Sequence, residues 1–303
     1  MAQQIKHRVQ MALEVTRGTA VTPMTLEVPI VGDGFRVTLV NAQGQIMGSQ
    51  TFPYLTDSVP VGFYCSGLSL RVEVNRDTIR DMLLLATKRT AGVLPAVTIV
   101  HDQQGVGVAR YAGCVCTAMN LEYSRTGTPG GENLLVMNME FACMSAVNGA
   151  GAIAALTPAS ARRFQIRQGT HTINSVAAVD LFSLRIGVAN RLALGPVSAA
   201  NVRSYIEDGE EANEISCVQR FSTTAWRLLC ENSTEFAASF VIATGTANET
   251  VTASVAKAQA ETRNLGENDG TVTEEVNLNG FYGVAAPVVW TFGSAIGASV
   301  LGL

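Results

Sequence analysis

The strongest constraint in this sequence is a period of two. Apolar residues take alternate positions in Val9, Met11, Leu13 and Val15, in Leu26, Val28 and Ile30, and in Phe35, Val37 and Leu39. They do so again in Leu68, Leu70, Val72 and Val74, with Ser69, Arg71 and Glu73 between. Successive side chains of a strand point to opposite faces, so a half-buried strand needs this pattern and a helix does not produce it. Runs at 96–100, 107–111, 114–123 and 134–144 read as further strands. They are separated by the turn-rich segments His101-Asp102-Gln103-Gln104-Gly105 and Thr126-Gly127-Thr128-Pro129-Gly130-Gly131. Gly32-Asp33-Gly34 predicts a hairpin turn, and Pro29 places the arm before it at a sheet edge. The clear departure is Asp77 to Lys88, where Ile79, Met82, Leu83 and Leu85 recur at helical spacing behind Asp77 as N-cap. The expected fold is mainly β, a sandwich or barrel with a flanking α-helix.

Residues 41–66 are rich in Gly, Ser, Pro and Gln, with isolated aromatics and no sustained period. A long loop is expected there, of the length that is usually functional or ordered by a partner. Residues 146–160 are small and uncharged, as in a linker, and the sequence after them follows the order of the first half. Gln165-Ile166 with Gln168-Gly169-Thr170 parallels Gln10-Met11 with Arg17-Gly18-Thr19, and Phe182 to Val188 parallels Leu68 to Val74 without a gap. Thr223 to Cys230 stands for the helix, Phe240 to Thr244 for Val97 to His101, and Val276 to Asn279 for Met137 to Glu140. The expectation is two tandem β domains, each with a flanking helix: 1–150 with the long loop, a linker at 151–160, and 161–303. The second would carry an insertion at about 191–219, with Glu207, Asp208, Glu210 and Glu211 in a solvated loop.

Composition narrows the function. Hydrophobic residues make up 47% and charged residues 15% of the 303 positions, against a usual charged share of about a quarter. Much of the surface must then be uncharged, which suits a protein covered by copies of itself. Net charge is -4 and the arginines are scattered, so no basic run would neutralise a row of phosphates. Cys65, Cys114, Cys116, Cys143, Cys217 and Cys230 follow no apolar leader and read as reduced thiols of a cytoplasmic product. Residues 282–303 carry no charge, yet Gly283, Pro287, Gly293, Gly297 and Gly302 argue for a buried strand or a subunit contact over a membrane anchor.

No reaction chemistry emerges. Cys114 and Cys116 share a strand face but lack the further ligands a zinc site needs, so they read as structural thiols. His7, His101 and His171 have no nucleophile elbow to serve, Gly105-Val106-Gly107 lacks the rest of a dinucleotide fingerprint, and Glu207 to Glu214 lacks a calcium-loop spacing. No catalytic residue, cofactor or metal is expected. Trp226 and Trp290 read as core or interface residues.

Three segments carry a family resemblance: the opening RVQMALEVTRGTAVTP, the strand GLSLRVEVNRD before the helix, and the run YAGCVCTAMNLEYSRTGTPGGENLLVMNMEFACM. They resemble the tail tube proteins of phages, closely over the first half and through the repeat over the second. Tyr111 with Gly113 would be the strand entry, Gly127 to Gly131 the glycine-rich turn, and Leu134 to Met144 the final strand. The resemblance implies a non-enzymatic virion protein whose rings stack into a hollow tube through which DNA is ejected. With two domains per chain it implies trimeric rings of pseudo-sixfold symmetry, most simply in a non-contractile siphophage tail. It also implies a tape measure protein in the lumen, terminator and distal tail or baseplate proteins at the tube ends, assembly in the host cytoplasm, and no membrane. Self-assembly contacts are expected at Phe52, Pro53, Tyr54 and Leu55 of the long loop, at Thr126, Gly127 and Pro129 of the turn, and at Trp290. The alternative is a carbohydrate-binding or adhesin-like β-sandwich, for which 6% aromatic content supplies few binding platforms.

Overall fold

The computed structural model describes residues 7–47, 55–103, 107–124, 135–149, 153–156, 163–165, 169–178, 181–197, 202–221, 225–268, 270–281 and 286–303. The first half contributes β1 (His7–Leu13), β2 (Leu26–Val28), β3 (Ile30–Met47), β4 (Leu55–Glu73), α1 (Ile79–Thr87), β5 (Ala96–Gln103), β6 (Gly107–Ser124), β7 (Leu135–Ala142) and β8 (Ser145–Asn148). The second contributes β9 (His171–Ile173), β10 (Val176–Ala177), β11 (Leu181–Asn190), β12 (Ala193–Leu194), β13 (Ile206–Glu207), β14 (Glu211–Arg220), α2 (Ala225–Glu231), β15 (Phe236–Ala243), β16 (Thr250–Asn268), β17 (Thr271–Gly280) and β18 (Val289–Phe292). The fold is mainly β with antiparallel pairing among the described strands.

One strand order occurs twice. The first half runs β3-β4-β7-β6-β5-β1-β2 and the second β11-β14-β17-β16-β15-β9-β10. The bulges of β6 and β16 match as well. β6 carries one extra residue between Tyr111 and Cys114 against β5, and another between Cys116 and Ala118 against β7. β16 does the same between Val255 and Ala258 against β15, and between Ala260 and Thr262 against β17. A single residue offset relates all four pairs of positions. The extra residue of a bulge flips the side chains that follow to the other face, so bulges fix which residues correspond. On this framework Leu68 corresponds to Ile215, Met139 to Val276, and Ile79 of α1 to Trp226 of α2.

Several local expectations are corrected by this framework. Phe182 to Val188 lies in β11, the counterpart of β3; the counterpart of Leu68 to Val74 is β14 with the residue that follows it. Phe240 corresponds to His101 and Val276 to Met139, shifts of four and two residues. Much of 41–66 is strand: 41–47 belongs to β3 and 55–66 to β4, paired to each other across three register shifts. Gly32-Asp33-Gly34 is no hairpin turn but an irregular stretch inside β3, between the pairs Ile30–Val72 and Phe35–Leu70. The 191–219 segment is likewise no simple loop, since it holds β12, β13 and most of β14. Asp208 is tied to Arg17 at 2.9 Å and to the Leu94 N–H at 3.2 Å. At α1 the capping role falls to Asn75, whose Oδ1 accepts from the Asp77 and Thr78 N–H groups and the Thr78 hydroxyl at 3.0–3.1 Å, while Asp77 pairs with Arg76.

One apolar core runs through both halves, from Met11, Leu70, Met139 and Phe141 to Ile186, Ile215, Trp226 and Leu278. Polar ties reinforce it. Arg76 meets Glu249 at 3.1 Å, and the Asn190 amide donates to the Ala86 and Cys116 carbonyls at 2.9 and 3.1 Å. Asp81, fully buried on α1, accepts from the Ser299 hydroxyl and from the Val300 and Leu301 N–H groups, the latter two at 3.0 and 3.1 Å. The C-terminal segment is thus fastened to the helix of the first half.

Candidate assembly surface

Between its edges at β3 and β16 the central sheet turns one face to the core and the other outward. Alternation sets the division: Met137, Met139 and Phe141 of β7 are buried, whereas Asn138 is half-buried and Glu140 exposed. Amides, hydroxyls and mixed charges cover the outer face. Asn138 donates to Glu122 at 2.9 Å, Asn277 to Thr262 at 2.7 Å, Asn279 to Glu261 at 3.2 Å and Ser216 to Glu275 at 3.4 Å. Arg71 and Arg185 stand among Glu122, Glu140, Glu214 and Glu275, two cations against four carboxylates, so the face carries a modest acidic excess. Such a wall offers hydrogen bonds and a mildly negative field that holds no phosphate.

The two halves join edge to edge on this sheet. β11 pairs with the second half of β6, from Ser183 opposite Ser124 to Ala189 opposite Ala118. Across the seam Arg185 donates to Asn120 Oδ1 at 3.2 and 3.3 Å and lies 3.8 Å from Glu122. Beyond the sheet body, residues 55–66 of β4 pair, among the described residues, with β3 alone, forming a two-stranded ribbon. A ribbon of that kind is marginal in water by itself and gains from a partner surface.

Of the expected contact residues, Leu55 begins β4 opposite Met47. Trp290 lies in β18 opposite Ala253, half-buried against the core, its indole N–H lacking an acceptor among the described residues. Phe52, Pro53, Tyr54, Thr126, Gly127 and Pro129 lie outside the described residues. The sheet edges were missed from sequence, because an open edge is defined by the absence of a neighbour and leaves no local pattern. Gly113 of the expected entry motif is required by geometry: its φ is +64°, and a Cβ there would sit 2.7 Å from the Met144 side chain.

A model of the family described as phage tail tube protein matches residues 6–280. The chain belongs to the phage tail tube protein family. Among curated proteins no relative matches it. Tail tube proteins are structural components of the virion tail. Among the described residues no group of three or more His, Cys, Asp or Glu side chains is placed to hold a metal, and no helix is long and apolar enough to cross a membrane. Five of the six tail tube cysteines are buried thiols, and Cys230 is half-buried. Cys114 Sγ lies 2.6 Å from Cys143 Sγ in the core, and burial pushes the Cys116 and Cys217 thiols up to about 12. A thiol held protonated in this way is a poor nucleophile.

Proposed function

We propose that the chain is the repeating subunit of a hollow tail tube, built from two tandem tube domains at 1–150 and 161–303. Three copies then place six domains in a ring, and stacked rings enclose the channel for DNA ejection. The observation that carries this reading is the duplicated strand order, with its matched bulges, joined edge to edge into one sheet. A module that already extends its own sheet by a second module of the same path is suited to extending it further through copies of the chain. The outer polar face is the channel wall in this arrangement; its acidic excess and dense amides let phosphates slide past without gripping them. The tape measure protein occupies the same channel before ejection. The β3–β4 ribbon, which has no further sheet neighbour among the described residues, reaches the next ring. Terminator and distal tail or baseplate proteins cap the two ends of a non-contractile, siphophage-type tube that assembles in the host cytoplasm.

Negative-stain electron microscopy of the purified chain, with light scattering over a concentration series, tests the reading. Rings or hollow tubes with threefold or pseudo-sixfold views are expected. A monodisperse monomer at every concentration overturns it.

A further inference from the structure

Resting on that reading, we infer which strands close the ring and in what register. Among the described residues β3 pairs only with β4, and residues 262–268 of β16 pair only with β17. These are the two open edges of the central sheet. In the first half the segment matching the open part of β16 is the second half of β6, and there the edge is occupied by β11. β11 is the counterpart of β3. The seam inside the chain therefore shows how β3 of one copy docks on β16 of the next.

Carrying the β6–β11 register across places Arg36 opposite Gly266, Val37 opposite Leu265 and Thr38 opposite Asn264. Two observations support this pairing independently. Leu265 is 59% exposed, while Leu121, its counterpart beneath the occupied seam, is 1% exposed. Ile186, opposite Leu121 in that seam, is also 1% exposed, and its counterpart Val37 is only half-buried. An apolar side chain on the core side of a sheet that lies open only where a strand is missing marks the place of that strand. The polar face repeats as well. Arg185 reaches across the internal seam to Asn120, and the corresponding residues of the open edges are again an arginine, Arg36, and an asparagine, Asn264. Because the two edges differ, the contact is heterologous and head to tail, the kind that generates rings.

The variant Thr38→Cys/Asn264→Cys tests the register. Directly opposed Cβ atoms lie about 4.5–5.5 Å apart, close to disulfide range with small adjustment. Mild oxidation with copper phenanthroline is expected to link this variant into dimers and trimers of the 32.0 kDa chain. Each single-cysteine variant, and Thr38→Cys/Asn277→Cys with its second thiol one strand in from the edge, is expected to stay unlinked. Rings or tubes without the cross-link, or with the cross-link only in the Asn277→Cys control, overturn this register and leave the tube reading standing. Monomers at every concentration overturn both. Leu265→Glu supplies a second arm: a folded monomer with an unchanged melting temperature is expected, and persistent rings refute the seam.

Discussion

Replacing Asp81 by alanine removes the anchor of the C-terminal segment. Its carboxylate accepts from the Ser299 hydroxyl and from the Val300 and Leu301 N–H groups, and Leu301 itself is buried beside the helix. A hydrogen bond to a charged group contributes about 1.5–3 kcal/mol, and a buried donor left unmatched costs a similar amount. The three bonds share one acceptor group and are not additive, so a loss of about 3–5 kcal/mol is expected. For a chain of this size that lowers the melting temperature by roughly 5–8 °C. Asp81→Asn keeps one acceptor oxygen and should lose about half as much. The assay is thermal unfolding by circular dichroism at fixed protein concentration, joined to hydrogen exchange over residues 293–303. A melting temperature within a degree of the parent, with unchanged exchange in that segment, would refute the claim that Asp81 holds it.

Three further outcomes follow from the geometry. Deleting residues 45–60 should leave a folded subunit that still forms rings but no longer stacks, read by electron microscopy; unaltered tubes would remove the ribbon from stacking. Gly113→Ala should destabilise by about 2 kcal/mol or more, since it meets both a positive φ and the Met144 side chain; a neutral effect in denaturant titration would contradict the close packing there. Cys116 and Cys217, pushed by burial up to about 12, stay protonated in the folded chain after the unfolded thiols have begun to ionise near 9. Their contribution is complete below pH 9 and declines between pH 9 and 12, by at most about 1.4 kcal/mol per pH unit per thiol. Melting temperatures measured from pH 8 to 10.5 should fall more steeply for the parent than for Cys116→Ala/Cys217→Ala, and parallel slopes would show that these thiols do not titrate differently on unfolding.

How much of this was legible in the sequence depended on whether a residue has a buried side to report. Residues 68–74, in and just after β4, and Met137 to Phe141 of β7 bury every second side chain, so their alternation announced them, as the spacing of Ile79, Met82 and Leu83 announced α1. The β3–β4 ribbon gave no such signal. It lies beyond the sheet, and register shifts at Thr38/Leu39, Ala42/Gln43 and Ile46/Met47 flip the faces repeatedly, so that no period survives and strand reads as loop. β14 was obscured by Glu211 and Glu214, which look like a solvated acidic stretch until Ile215 and Cys217 are seen to face the core. β11 was matched to β4 because one alternating strand resembles another. Only hydrogen-bonded neighbours and bulges tell them apart, and those connect residues far apart along the chain. Family membership was legible from the run between Tyr111 and Met144. The open edges at β3 and β16 were not, for they become visible only beside the occupied edge of β6.

The internal seam between β6 and β11 also bears on the kinetics of assembly. In a ring of three such chains, three of the six junctions form within a chain as it folds, at a rate independent of concentration. The other three wait on encounters in solution. Tethering replaces a six-body closure by a three-body one and holds each pair of modules at a high effective concentration. Ring formation should therefore persist at dilutions where untethered single modules would fall apart, and the concentration at which rings first appear measures the strength of the β3–β16 junction alone.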